Sequence, residues 1–100
     1  MTTDELIKAV EQWGKDKGID NPYTQMVKVT EEVGEIAHEI SRARFDSDEL
    51  CDAFGDTLVT LIILANICDL DLIECLRSAY DVIKDRTGHI ENGGFIKDEN

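Results

Sequence analysis

The fold is decided by two stretches, KVTEEVGEIAHEI at residues 28–40 and DELCDAFGDTLVTLIILA at residues 48–65. In each stretch the apolar residues recur three and four positions apart, which is the spacing of one face of an α-helix. Acidic residues recur beside them at the same spacing: Glu32, Glu35 and Glu39 in the first stretch, and Glu49, Asp52 and Asp56 in the second. We therefore expect two helices, each with an acidic ridge beside an apolar stripe.

The acidic ridges predict a site for divalent cations. Carboxylates at this spacing repel each other by about a few tenths of a kcal/mol on an exposed helix. The repulsion grows where apolar packing excludes water. Hard divalent ions with oxygen ligands offset such charge, so we expect Mg²⁺, with Mn²⁺ as a substitute.

The flanking segments predict two further helices. Helix-start signals stand at Thr2 or Thr3, at Asn21 with Pro22, at Asp46 with Ser47, and at Asp69 or Asp71. The second helix should end near residues 42–45 and the fourth near residues 86–88. Residues 88–100 contain an Asn-Gly pair between two short apolar patches, which fits either a small hairpin or a frayed end. We predict one all-α domain over residues 1–100, a four-helix bundle-like fold.

The second half of the third helix is apolar on nearly every side, from Leu58 to Ala65 with Thr60 between them. A helix of this kind has to be covered on every side. In a chain of 100 residues this predicts a central helix whose burial is completed by a second subunit, in a homodimer or a homotetramer.

Net charge and cysteine content limit the classes of partner and the cellular compartment that we expect. The chain has 10 Lys and Arg against 22 Asp and Glu, a formal charge of −12. This charge disfavours nucleic acids and anionic membranes as partners, and a polyanionic substrate would need bridging metal ions. The 3 cysteines form no CxxC pair, which indicates reduced thiols in a cytoplasmic protein. The apolar run at residues 58–65 is too short to span a bilayer, and no secretory signal is visible.

Glu31, Glu32 and Glu35 spell EExxE, and the second acidic ridge follows after one predicted turn between helices. This arrangement resembles the MazG-type nucleoside triphosphate pyrophosphohydrolases, an all-α family with the pattern EExxE followed by ExxD. The resemblance extends over about residues 28–86. It includes Gly55 before Asp56 and the apolar run that follows.

The resemblance implies an oligomeric all-α enzyme that hydrolyses a nucleoside or deoxynucleoside triphosphate to the monophosphate and pyrophosphate, in nucleotide pool control. Carboxylates that hold Mg²⁺ suit this chemistry, since the metal neutralises phosphate oxygens and positions water. The expected metal ligands are Glu32, Glu35, Asp52 and Asp56. Glu31 would bind a second ion or orient the attacking water. Candidate phosphate-binding residues are Lys28, Lys84 and Arg86.

One position departs from the family pattern. Ala53 stands where the glutamate of ExxD belongs, and Asp52 is one residue earlier. Glu49 and Asp52 also form a literal ExxD, but we favour Asp52 with Asp56 because Gly55 and the apolar run fix the place of Asp56. The number of metal ions and the preferred base and sugar stay open.

Three alternatives accompany this interpretation. A non-catalytic acidic helical protein, such as a DNA mimic, would also fit the net charge, although its acids should spread over the whole exterior. Glu35 and His38 have the ExxH spacing of di-iron bundles, but a second ExxH is missing, so we assign His38 to the surface. Trp13 lies on the apolar stripe of the first helix and is assigned to the core, with stacking on a ligand base as the alternative.

Overall fold

The computed structural model describes residues 1–99 and shows four helices followed by a two-stranded hairpin. The helices are α1 (Thr3–Asp16), α2 (Pro22–Ser41), α3 (Asp48–Ile67) and α4 (Leu72–Ile83), and the strands are β1 (Gly88–Glu91) and β2 (Gly94–Lys97). The predicted all-α class with four helices is therefore confirmed. Asn100, the last residue of the predicted tail, lies outside the described residues.

Each helix begins at one of the predicted caps. Thr2 forms a capping box with Glu5, because its hydroxyl accepts from the Glu5 backbone N–H at 3.1 Å and its own N–H donates to the Glu5 carboxylate at 3.2 Å. Asn21, Ser47 and Asp71 accept backbone N–H groups at the starts of α2, α3 and α4. The helices are joined by short connections. Helix α4 ends at Ile83, before the predicted end near residues 86–88.

Helix α3 occupies the centre of the chain. It packs most extensively against α2 and also against α1 and α4. The buried apolar residues lie mainly on it: Leu50, Ala53, Ile62 and Ile63, with Val29 from α2. Gly14 permits the close approach of α1, since a Cβ atom at this position would lie 3.1 Å from Cγ1 of Ile63.

Within residues 1–99, α3 is the helix whose length and composition would suffice to cross a membrane. The apolar window is thus longer than the run at residues 58–65. Core helices of soluble proteins have the same composition, and α3 contacts three other helices of this chain. Its acidic N-terminal half, with Asp48, Glu49, Asp52 and Asp56, belongs to the same helix.

The Asn-Gly pair forms the turn of a hairpin. Asn92 and Gly93 have φ angles of 52° and 80°, and positive φ at both central residues is the geometry that a two-residue hairpin loop with strand-matching twist requires. His89 pairs with Ile96 and Ile90 with Phe95. Among residues 1–99 the hairpin packs against none of the helices.

The buried face of α2 differs from the predicted apolar stripe. The helical spacing predicts a stripe of Met26, Val29, Val33, Ile36, Ala37 and Ile40. Of these, Val29 is buried, whereas Met26, Val33 and Ile40 remain exposed, and Gln25 and Glu39 turn inward instead. The spacing likewise predicts a stripe of Leu50, Phe54, Leu58, Leu61 and Ala65 in α3, of which Leu50 is buried but Phe54 and Leu58 are exposed. The radius of gyration of 16.2 Å exceeds the value of about 13 Å for a compact domain of this length. A single chain therefore leaves much of its apolar surface uncovered.

Candidate active site

Two contacts define how α2 and α3 lie against each other. The side-chain amide Nε2 of Gln25, early in α2, donates to the carbonyl oxygen of Thr60, late in α3, at 3.2 Å. At the opposite end, Oε2 of Glu39 lies 3.4 Å from Oγ of Ser47, the N-cap of α3. The helices are therefore antiparallel, and a step toward the C-terminus of α2 is a step toward the N-terminus of α3.

This register brings the acidic motifs to the same height. Glu32 follows Gln25 by two helical turns, so it lies level with α3 about two turns before Thr60, next to residue 53. Asp52 and Asp56 stand on either side of that level, about 6 Å apart along the axis at 1.5 Å per residue. Glu35 is one turn further along α2, level with the first turns of α3.

Ala53 occupies the position where the family pattern has the glutamate of ExxD. Its side chain is only 5% exposed and lies on the buried line of α3 with Leu50. A glutamate here would place a carboxylate in the helix interface, where an unpaired charge is costly. Asp52 and Asp56 are both exposed and share one face four residues apart. Glu49 is also exposed and shares a face with Asp52 three residues apart, so the preference for Asp52 and Asp56 as the working pair stays a prediction.

The four expected metal ligands are accessible. Glu35, Asp52 and Asp56 are exposed and Glu32 is half-buried. Within the described chain, their carboxylates take part in none of the ion pairs. Their oxygens are hard donors of the kind that Mg²⁺ prefers. However, among residues 1–99, no three His, Cys, Asp or Glu side chains converge closely enough to hold a metal ion. The ligand set therefore stays a prediction.

Glu31 and Lys28 form a pair on the outer side of α2. Nζ of Lys28 lies 3.4 Å from Oε2 of Glu31, and both side chains are more than half exposed. Glu31 borders a shallow groove with Tyr23 and Met26, whereas Glu32 borders a different cleft together with Lys28. The two neighbouring glutamates thus face different surroundings, which is consistent with different roles.

Lys84 and Arg86 lie away from the acidic motifs. Lys84 caps the end of α4 and pairs with Asp81 at 3.4 Å. Arg86 lines an open, polar pocket of about 720 Å³ with Lys97 of β2. Within residues 1–99, α4 packs against α3 but not against α2. A single chain therefore does not bring these two basic residues to the acidic face of α2.

Glu39 and His38 are separate from the candidate site. Glu39 extends the acidic ridge in sequence, but its side chain is 7% exposed and lies 3.4 Å from Nη1 of Arg44. Through its contacts with Arg44 and Ser47, Glu39 connects the end of α2 with the N-cap of α3. His38 is exposed, and its Nδ1 lies 3.0 Å from Nη1 of Arg42, in agreement with its assignment to the surface.

The structure reveals a cleft that the sequence analysis did not anticipate. Its volume is about 410 Å³, and it lies where α1, α2 and α3 meet; it is lined by Trp13, Ile19, Thr24, Gln25, Lys28, Glu32, Val59, Thr60 and Ile63. Trp13 is 50% exposed, so its assignment to the core is wrong. The spacing of four between Gln25 and Val29 was the available signal that Gln25 faces inward.

Comparisons with known proteins agree with this fold and motif. Residues 20–90 match the family model of the MazG nucleotide pyrophosphohydrolase domain, which confirms the resemblance. The chain also aligns with the crystal structure of the Bacillus-conserved MazG protein, a nucleotide pyrophosphohydrolase. That alignment has a TM-score of 0.65 and 25% identity, over 85% of this chain and 87% of that one.

Two relatives are themselves uncharacterised. The chain is 34% identical over 72 residues to an 18.2 kDa protein from the rep-hol intergenic region of Haemophilus phage HP1, which covers 69% of this chain and 43% of that protein. It is 33% identical over 66 residues to YpjD of Bacillus subtilis, over 58% of this chain and 60% of YpjD. The chain thus spans less than two thirds of the length of either relative.

Proposed function

This chain belongs to the MazG nucleotide pyrophosphohydrolase family, and from that membership we propose that it hydrolyses nucleoside or deoxynucleoside triphosphates to the monophosphate and pyrophosphate, with Mg²⁺ or Mn²⁺. The observation that carries the proposal is the antiparallel register of α2 and α3. It sets Glu32 of the EExxE motif level with the interval between Asp52 and Asp56.

The reaction breaks the bond between the α-phosphorus and the oxygen that bridges to the β-phosphorus, while water supplies the new oxygen. Bound divalent ions would supply charge neutralisation on the phosphate oxygens and a more acidic water. In our assignment Glu32, Glu35, Asp52 and Asp56 hold these ions. Glu31 orients the attacking water or serves a second ion, and Lys28 contacts a phosphate.

We also propose that the active form is a homodimer or a homotetramer. A groove of about 750 Å³ between α1, α3 and α4 is lined almost entirely by apolar side chains, among them Leu6, Leu58 and Leu76. None of the residues of α4 is buried. The large radius of gyration also supports a second subunit, since a single chain is less compact than a domain of this length. A second copy would cover this groove and could bring Lys84 and Arg86 to the acidic face of its partner.

The proposed compartment is the cytoplasm. Cys51, Cys68 and Cys75 are all free and exposed in the chain, and such thiols persist in a reducing environment. The net charge of −12 supports the expectation that neither nucleic acid nor an anionic membrane is a partner.

The activity is tested by incubating the purified chain with each common ribo- and deoxynucleoside triphosphate in the presence of Mg²⁺ or Mn²⁺. Pyrophosphate and orthophosphate are measured separately. We expect pyrophosphate and the nucleoside monophosphate in equal amounts. Orthophosphate as the first product would contradict cleavage between the α and β phosphates, and the absence of any turnover would favour a non-catalytic acidic protein such as a DNA mimic.

The ligand assignment is tested with Glu35→Gln, which removes a charge at nearly constant volume. We expect loss of turnover with an unchanged circular dichroism spectrum. Glu74→Gln is the matched control, since Glu74 is an exposed acid on α4 that pairs with Arg77. Full activity of Glu35→Gln would show that Glu35 is not a ligand.

A further inference from the structure

We propose that the cleft beside Trp13 receives the nucleobase of the substrate and that the indole ring stacks on the base. This inference rests on the proposed function and deepens it, because it assigns a subsite to the part of the nucleotide that the acidic motifs do not contact.

The cleft has the size and composition of a small-ligand site. Its volume of about 410 Å³ falls within the range of about 300–1,000 Å³ that is typical of ligand pockets. Apolar walls come from Ile19, Val59 and Ile63, and polar groups come from Thr24 and Gln25. An apolar cleft with a few polar groups suits a flat heterocycle whose edge carries hydrogen-bonding atoms.

Trp13 supplies an accessible aromatic ring. Half of its surface is exposed although it borders the apolar cleft. The adjacent Gly14 is buried against Ile63, which fixes the backbone of α1 at this point. Nζ of Lys17 lies 5.9 Å from the ring centroid, at the outer limit of a cation–π contact. The backbone that carries the ring is therefore restrained, and half of the residue's surface stays free for a ligand.

The cleft also connects the ring to the catalytic motif. Lys28 and Glu32 line the same cleft as Trp13. Trp13 lies near the level of Ile63 in α3, whereas Glu32 lies near the level of residue 53. At 1.5 Å per residue this separation is about 15 Å along the helix axis. The cleft has an aromatic ring at one end, Lys28 between, and Glu32 of the proposed metal site at the other, which is the order of base, phosphates and metal in a bound nucleotide.

The chain contains a single tryptophan, so its fluorescence reports on this site alone. The first experiment titrates the protein, in Mg²⁺, with α,β-methylene nucleoside triphosphates that cannot be cleaved at this bond. Inorganic tripolyphosphate, which has no base, is the comparison. We expect saturable quenching by the nucleotides and little change with tripolyphosphate. Equal responses to both, or no response to any nucleotide, would overturn the proposal, and the result does not depend on turnover.

The second experiment compares Trp13→Ala and Trp13→Phe by steady-state kinetics. Loss of base stacking should raise KM for the nucleotide by about tenfold or more, with a smaller effect on kcat, and Trp13→Phe should restore most of the loss. Hydrolysis of methyl triphosphate, which lacks a base, should be unaffected by either change. Tyr23→Ala is the matched control, because Tyr23 is an exposed aromatic residue that borders a different groove.

Different results would overturn the base subsite and the proposed pyrophosphohydrolase activity. If the parent enzyme releases pyrophosphate but Trp13→Ala retains the parent KM, the base subsite is wrong and the proposed function stands. An equal loss of activity toward methyl triphosphate would show that Trp13 has a structural role, which also overturns the subsite. A higher nucleotide KM in Tyr23→Ala than in Trp13→Ala would place the base in the groove beside Tyr23 instead.

Discussion

Gln25 of α2 is joined to Thr60 of α3 by a side-chain hydrogen bond of 3.2 Å in the helix interface. The amide of Gln25 is buried, at 5% exposure, and it donates to a backbone carbonyl whose position is fixed by the helix. This bond accompanies the packing of Val29, Leu50 and Ala53, and it marks the height of the EExxE motif against Asp52 and Asp56. An uncharged residue two turns away from Glu32 thus contributes to the interface that positions the acidic residues.

We predict that Gln25→Glu destabilises the protein by about 2–3 kcal/mol. The substitution keeps the shape of the side chain but replaces the donor with a carboxylate oxygen, which would face a carbonyl oxygen in a buried place. Urea denaturation at neutral pH measures the free energy of unfolding.

Gln12→Glu is the matched control for this change. Nε2 of Gln12 also donates, to Oδ1 of Asp16 at 2.8 Å, but both residues are exposed on α1. We expect a change within about 0.5 kcal/mol. Equal effects of the two substitutions would show that the Gln25 bond has no special role in the interface.

Glu39 should contribute to stability and not to catalysis. Its buried carboxylate lies 3.4 Å from the guanidinium of Arg44 and 3.4 Å from Oγ of Ser47. We predict that Glu39→Ala lowers the free energy of unfolding by about 1–2 kcal/mol. The exposed pair of Glu74 and Arg77 provides the comparison, since Glu74→Ala should cost less than about 1 kcal/mol. Thermal unfolding measures the loss of stability in both variants. If Glu39→Ala is as stable as the parent protein, the contacts of Glu39 with Arg44 and Ser47 do not stabilise the fold.

The local parts of the fold were predictable because their causes are local. A capping side chain bonds to backbone N–H groups within three residues, so Asn21 could be identified without knowledge of the fold. The first and fourth caps were predicted as one of two residues each, and the structure selects Thr2 and Asp71. The Asn-Gly turn is equally local, because its positive φ angles belong to Asn92 and Gly93 themselves. Sequence reasoning left the hairpin and a frayed end as alternatives, since exposed strands gain little from packing.

The inward faces of the helices could not be predicted as well. The apolar stripe of α2 is wide, and sequence alone does not tell which side of it meets α3. The structure turns Gln25 and Glu39 inward and leaves Met26 and Val33 exposed. Trp13 was misassigned for the same reason, because its exposure depends on where α1 crosses α3. The acidic motifs were found because their helical spacing places them on one face wherever the helices pack.

The hairpin should unfold without the helices. A Cβ atom at Gly88 would collide with the carbonyl oxygen of Ile96 and the ring of Phe95, whereas one at Gly94 would meet only the carbonyl oxygen of Glu91, at 3.8 Å. We predict that Gly88→Ala disrupts the strand pairing and that Gly94→Ala preserves it. Amide chemical shifts measure this directly. Widespread shift changes in the helices of Gly88→Ala would contradict the separation of the two parts.

The end of α2 offers a stabilising substitution. Ala43 follows the C-cap with a φ of 56°, and this left-handed conformation is strained for a residue with a Cβ atom. We predict that Ala43→Gly raises the free energy of unfolding by about 1 kcal/mol. The same substitution inside α2, Ala37→Gly, should lower it by about 1 kcal/mol. Chemical denaturation should show opposite signs for the two variants, and a destabilised Ala43→Gly would refute the strain.

Divalent metal binding can be measured without substrate. A ligand that binds only the native state stabilises it, by about 1.4 kcal/mol at ten times its dissociation constant. For a domain of this size we expect Mg²⁺ or Mn²⁺ to raise Tm by about 5–10 °C. Glu35→Gln or Asp56→Asn should remove most of that increase, while Glu74→Gln should keep it. NaCl at equal ionic strength is the control, because screening of the 22 acidic residues also stabilises the chain. An equal rise in NaCl would mean that the carboxylates of α2 and α3 repel one another without forming a metal site.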